Sequence, residues 1–193
     1  VPYDTERVEN ANVAMRAEVL NEINTSKTPK IIVTYPEALS EKVVTKKELS
    51  EHTFIVQKDA KLDIEFIDEM LIEYEFDKVD YVFEPGQFSV RGGIVDVFSY
   101  SFDQPYRIEF FDDEVESIRK FDPVSQLSSG MMEFATIVPN VGDKTLMETR
   151  ESLLKFIPED SCVWMTDFNL AAARLDKYLD KAKDAFKELD GPI

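Results

Sequence analysis

Four side chains in the middle of the chain have the types and spacing needed to grip another protein. Tyr106-Arg-Ile-Glu-Phe-Phe111 reads as a β-strand, rich in aromatic and β-branched residues. Side chains alternate across a strand, so Tyr106, Ile108 and Phe110 point one way while Arg107, Glu109 and Phe111 point the other. The first set is a core face. The second sets a guanidinium fork, a carboxylate and a large ring in a row, combining charge-assisted hydrogen bonds with an apolar anchor as interaction hot spots do. Arg91 stands just before Gly92-Gly93, where a bulge or a close backbone approach would leave it splayed at a bend within a partner's reach. The pattern leaves a second use open. Phe111 could turn into the core at a bulge beside Asp112 and Asp113, with Arg107 and Glu109 pairing to neighbouring strands.

Other chemistries find no support in the sequence. Gly86 and Gly92-Gly93 lack the lysine and the following helix of a phosphate loop, and GxxxxGK[ST] occurs nowhere. Asp112, Asp113, Glu114 and Glu116 lack the spacing and central glycine of a calcium loop, so they read as a solvated turn. His52 and Cys162 are the only residues of their kinds and lie far apart, which argues against zinc and excludes an internal disulfide. Cys162, in the apolar run Cys162-Val-Trp-Met165, is expected to be a buried small hydrophobe, and its solitude suits a reducing, cytoplasmic setting. Carboxylates abound, but nothing singles out two as an acid–base pair, and no nucleophile–histidine grouping is present. The chain is therefore read as a non-enzyme with no catalytic, cofactor-binding or metal-binding residues.

Composition points the same way. The 193 residues are 44% hydrophobic and carry a formal net charge of −17. Binding to nucleic acid draws on neutralised phosphates, so little or no DNA binding is expected, and a protein partner with a basic or mixed surface fits better. No run approaches the ~20 apolar residues of a membrane span. The chain opens on Val1, as an excised fragment would.

The elements that must position the four side chains are legible around them. Glu84-Pro-Gly-Gln-Phe-Ser-Val-Arg-Gly-Gly-Ile-Val-Asp-Val-Phe-Ser-Tyr100 and the stretch to Asp122 give four short strands separated by Pro-Gly, Gly-Gly, Asp-Gln-Pro and Asp-Asp, an antiparallel meander. Asp63 can cap a helix placing Ile67, Met70, Leu71 and Tyr74 on one face, and burying these against Tyr106, Ile108 and Phe110 would contribute roughly 6 to 12 kcal/mol before entropy. Thr53-Phe-Ile-Val56 and Ala135-Thr-Ile-Val-Pro139 read as strands, and 124–133 as a loop. The flanks have another style. Asp4 or Thr5 can cap a helix to Asn24, Ile31-Ile-Val-Thr-Tyr35 is the apolar run of a buried parallel strand, and Pro36 suits a helix start. Residues 40–52 are a linker or short helix. After Asn140 the reading is a helix from Leu146 to Phe156, a buried strand Ser161–Thr166, and a long helix from Asn169 to about Leu189 with Leu170, Leu175, Tyr178 and Leu179 turned inward. The expected fold combines α/β and α+β: residues 53–139 form a β module inserted in an incomplete α/β lobe made of 1–52 and 140–193.

Glu84–Phe98 followed by Pro105–Asp122 resembles the UvrB-homology module of the transcription-repair coupling factors and, more distantly, UvrB. The likeness is sharpest over 79–123. It implies a RecA-like lobe around a module that binds UvrA, the damage-recognition ATPase of nucleotide excision repair. It places Arg91, Arg107 and Phe111 on the family's UvrA-contacting positions, with Glu109 a further candidate. It also implies that ATP, DNA and RNA polymerase are bound elsewhere in full-length members, and that a distant C-terminal domain masks the same face. UvrB usually has an arginine where Ser89 stands and a phosphate loop absent here, which favours the coupling factor. The alternatives are a fragment of a UvrB-type DNA-loading helicase and a structural lobe without its own partner.

Overall fold

A computed structural model describes residues 10–141 and 149–189. Before the module come α1 (Asn10–Thr25), α2 (Pro36–Ser40), β1 (Lys42–Val44) and α3 (Lys46–Glu51), the last capped by Thr45, whose hydroxyl accepts from Glu48 N–H. The module runs through β2 (Phe54–Gln57), α4 (Ile64–Glu73), β3 (Asp77–Lys78), β4 (Gln87–Arg91), β5 (Ile94–Val97), β6 (Tyr106–Phe111), β7 (Glu114–Phe121), β8 (Ser128–Met132) and β9 (Phe134–Ile137). After it come β10 (Arg150–Ser152), α5 (Leu153–Phe156) and α6 (Phe168–Leu189).

β4 to β8 form the antiparallel meander in sequence order, and β3 adds to its edge in parallel. The Arg91↔Ile94 pairing closes a two-residue hairpin in which Gly92 alone has positive φ (59°), the II′ arrangement that matches strand twist. Gly93 is the close approach: its carbonyl accepts from Phe110 N–H at 2.8 Å, and a Cβ there would stand 2.9 Å from the Phe110 carbonyl oxygen. The Gly-Gly pair is thus a hairpin turn, and the bulge falls instead between Glu109 and Phe110, where Glu109 pairs Ser117 and Phe110 pairs Val115.

Alternation along the strands sorts the sheet into two faces. Phe88, Val95, Val97, Tyr106, Ile108, Phe110, Val115 and Ile118 are buried on the inner face. They share one core with Ile67, Met70 and Leu71 of α4, whose N-terminus Asp63 caps by accepting from Glu65 N–H at 2.9 Å. β2 and β9 pair with each other beside this core rather than extending the meander. A smaller cluster of Val82, Phe98 and Phe121, with Val79 against it, lies apart from the main core.

Several sequence expectations are corrected. Residues 124–133 are not all loop, because Ser128–Met132 pairs with β7 as a fifth strand of the meander. The run 31–35 is not a buried strand: it has no strand neighbour, and Ile31 and Val33 are almost fully exposed. Residues 161–166 likewise form no strand, and Cys162 is exposed rather than buried, with Trp164 90% exposed. An apolar run becomes a strand only when another backbone satisfies its N–H and C=O groups, and neither run meets one here. Leu170, Tyr178 and Leu179 of α6 are exposed rather than turned inward. The helix expected at 146–156 is helical only from Leu153, with Arg150–Ser152 pairing to β1 as a strand, while 146–148 and the proposed caps Asp4 and Thr5 lie outside the described residues. That β1–β10 ribbon joins the segments on either side of the module.

Candidate protein-binding face

The outer face of the meander is built on a cross-strand row in which Ser89, Asp96, Arg107 and Arg119 stand directly opposite one another on β4 to β7. Asp96 is fully buried although its face is the outer one. A carboxylate out of water is costly unless paired, and here two arginines pair it. Arg107 makes a two-pronged contact, Nε to Oδ1 at 2.7 Å and Nη2 to Oδ2 at 2.8 Å, while Arg91 donates from Nη2 to Oδ2 at 2.5 Å. The Asp96 contact holds the Arg107 guanidinium above its ordinary pKa. Arg91 and Arg107 are therefore neighbours through a shared anion.

Two segments partly roof the row. Residues 79–83 lie along β4, where Arg91 Nη1 donates to the Asp80 carbonyl and to Ser89 Oγ, and its guanidinium sits 5.2 Å from the Tyr81 ring. The turn after β7 brings Gln126 across, donating from Nε2 to the carbonyls of Pro123 at 2.7 Å and Val82 at 3.2 Å. Arg107 stacks 4.6 Å from the Phe121 ring and reaches the Gln126 oxygens only at 3.5 Å. Glu109 pairs with Arg119 and accepts from Ser117 Oγ at 2.6 Å. Phe111 ends the row 71% exposed, with Asp112 (φ 53°) turning the chain immediately after it.

All four sequence-selected residues thus share one face, and they divide into two kinds. Arg107 and Glu109 pair across strands, as the internal reading allowed, while Phe111 does not turn inward. The side chains of Arg91 and Arg107 are 38% and 18% exposed. Asp96, Arg119 and Gln126 were missed. Asp96 carried a signal, since a lone carboxylate amid Ile94-Val-Asp-Val97 must find a cation if the strand is buried. Among the described residues no group of three or more His, Cys, Asp and Glu is placed to hold a metal, and no helix is long and apolar enough to cross a membrane.

Comparison with known proteins finds a likeness over the segment that carries this face. A family model described as the UvrB interaction domain matches residues 54–142, from β2 through the meander and just past β9. Residues 54–142 are thus similar to a UvrB interaction domain. Curated relatives extend the likeness: the transcription-repair-coupling factor of Bacillus subtilis is 30% identical over 174 residues, covering 89% of this chain and 14% of that protein. The same-named protein of Escherichia coli is 29% identical over 139 residues, 72% of this chain and 12% of that protein. UvrABC system protein B of Haemophilus influenzae is 40% identical over 85 residues, 44% of this chain and 12% of that protein. The chain spans roughly one-seventh or less of the length of these relatives. The matched residues coincide with the segment whose inner face holds most of the core and whose outer face carries the arginine pair.

Proposed function

We propose that this chain is the UvrA-recruiting part of a transcription-repair coupling factor, a cytoplasmic, non-catalytic module that draws UvrA to lesions at stalled RNA polymerase. The observation that carries the reading is an exposed phenylalanine, Phe111, on the same face as two arginines held by one buried carboxylate. Phe111 would enter an apolar pocket on UvrA while Arg91 and Arg107 donate to oxygens at its rim. ATP, DNA and RNA polymerase would be engaged by other parts of the longer relatives, and this chain would need no cofactor of its own. The coupling-factor relationship is favoured over a UvrB-type helicase because the coupling-factor match covers 89% of this chain and the UvrB match 44%.

The test is a titration of the chain against purified UvrA, with Phe111→Ala beside it. The expected outcome is binding by the wild type and a loss of ~2 kcal/mol or more, roughly 30-fold in Kd, for Phe111→Ala. Absence of wild-type binding at ~10⁻⁴ M, weaker than most transient pairs, would overturn the reading.

A further inference from the structure

We infer that Asp96 is a positioning residue for the docking face: its carboxylate holds the guanidinium groups of Arg91 and Arg107 side by side, ready for oxygen acceptors on a protein partner. The inference rests on the protein-binding function proposed above. Asp96 is fully buried on the outer face, beside buried Ser89 and between two arginines that come from different strands. The fold alone does not call for it, since well-packed apolar side chains commonly replace buried ion pairs without loss of stability. What a carboxylate adds is geometry.

The pattern of donors shows what is held and what is left over. Arg107 commits Nε and Nη2 to Asp96 at 2.7 and 2.8 Å, and its flat face lies over Phe121. Its outward contacts, Nη1 and Nη2 to the Gln126 oxygens at 3.5 Å, are at the limit of hydrogen bonding and readily exchanged. Arg91 is fixed by Asp96, Asp80 and Ser89. Two side chains rich in rotamers are thereby ordered before a partner arrives, so the entropic cost of ordering them falls outside the binding step. Two guanidiniums against one carboxylate leave a cationic centre within a chain of net charge −17, which selects backbone carbonyls or carboxylates as the groups received.

Asp96→Asn keeps the shape and removes the charge. Its UvrA affinity is expected to fall about tenfold or more, and the Arg107 Nε–H resonance, slowly exchanging in the wild type, is expected to broaden. In an Arg107→Ala background the same change is expected to cost less affinity than it does in the wild type, because Asp96 then acts only through Arg91, which Asp80 and Ser89 also hold. Arg107→Lys, which keeps charge but cannot make the fork, is expected to bind as weakly as Arg107→Ala and serves if Asp96→Asn fails to fold. Wild-type affinity in Asp96→Asn or in Arg107→Lys, or strictly additive effects in the double variant, would overturn the positioning role while leaving the docking function standing. A wild-type chain that does not bind UvrA would overturn both.

Discussion

At the scale of single residues, Arg107 and Phe111 occupy one face but answer to different energetics. Phe111 is 71% exposed and touches little, so Phe111→Ala should leave the melting transition within about 0.5 kcal/mol of wild type. Arg107→Ala removes the two-pronged partner of a fully buried carboxylate. Breaking a buried pair costs up to ~3–5 kcal/mol, lessened here because Arg91 stays, and a clear fall in Tm or urea midpoint is expected. A melt unchanged in Arg107→Ala would mean that Arg91 alone suffices to pair Asp96. Alternation along Tyr106–Phe111 made this face legible in the sequence, but alternation says nothing of register between strands. Arg107 meets Asp96 because Val97 pairs Tyr106 across the connection 98–105, an offset that alternation does not determine.

At the scale of elements, the turns decide where the four side chains end up. Gly93 lets β6 come against the β4–β5 hairpin, and its carbonyl accepts from Phe110 just beyond the bulge. Gly93→Ala would place a methyl 2.9 Å from the Phe110 carbonyl, against backbone that cannot swing aside as a side chain can. A loss of about 1–3 kcal/mol in urea unfolding is expected, with weaker UvrA binding because Phe111 is displaced with its neighbour. Gly86 serves a different closure: its φ of 85° and the Tyr100 hydroxyl, which would stand 2.1 Å from an added Cβ, leave room for no other residue. The β4–β5 and β6–β7 hairpins could be read in advance because Gly-Gly and Asp-Asp punctuate them. The runs at 31–35 and 161–166 were misread because a short apolar stretch is a strand only by virtue of neighbours, which local sequence does not supply.

At the scale of the whole molecule, the inner core ties the meander to the β2–β9 ribbon through Tyr106. This side chain is almost wholly buried, and burial pushes its phenol up to about 12 although a hydrogen bond with the Thr136 backbone pulls the other way. In the unfolded chain a tyrosine titrates near 10. The folded form thus favours the neutral phenol: this contribution is complete below about pH 10 and drains away as pH rises toward 12. Urea midpoints measured from pH 8 to 11 should fall across the upper end of that range, and Tyr106→Phe should flatten the fall. The single tryptophan, Trp164, has a consequence of its own. It lies beyond the residues that match the UvrB interaction domain and is 90% exposed, so its emission is already that of a solvated ring in the native state. Excitation at the red edge of the indole band would be nearly blind to the melting of the meander, and collapse of the sheet would be seen in tyrosine emission or circular dichroism while the tryptophan signal stayed still.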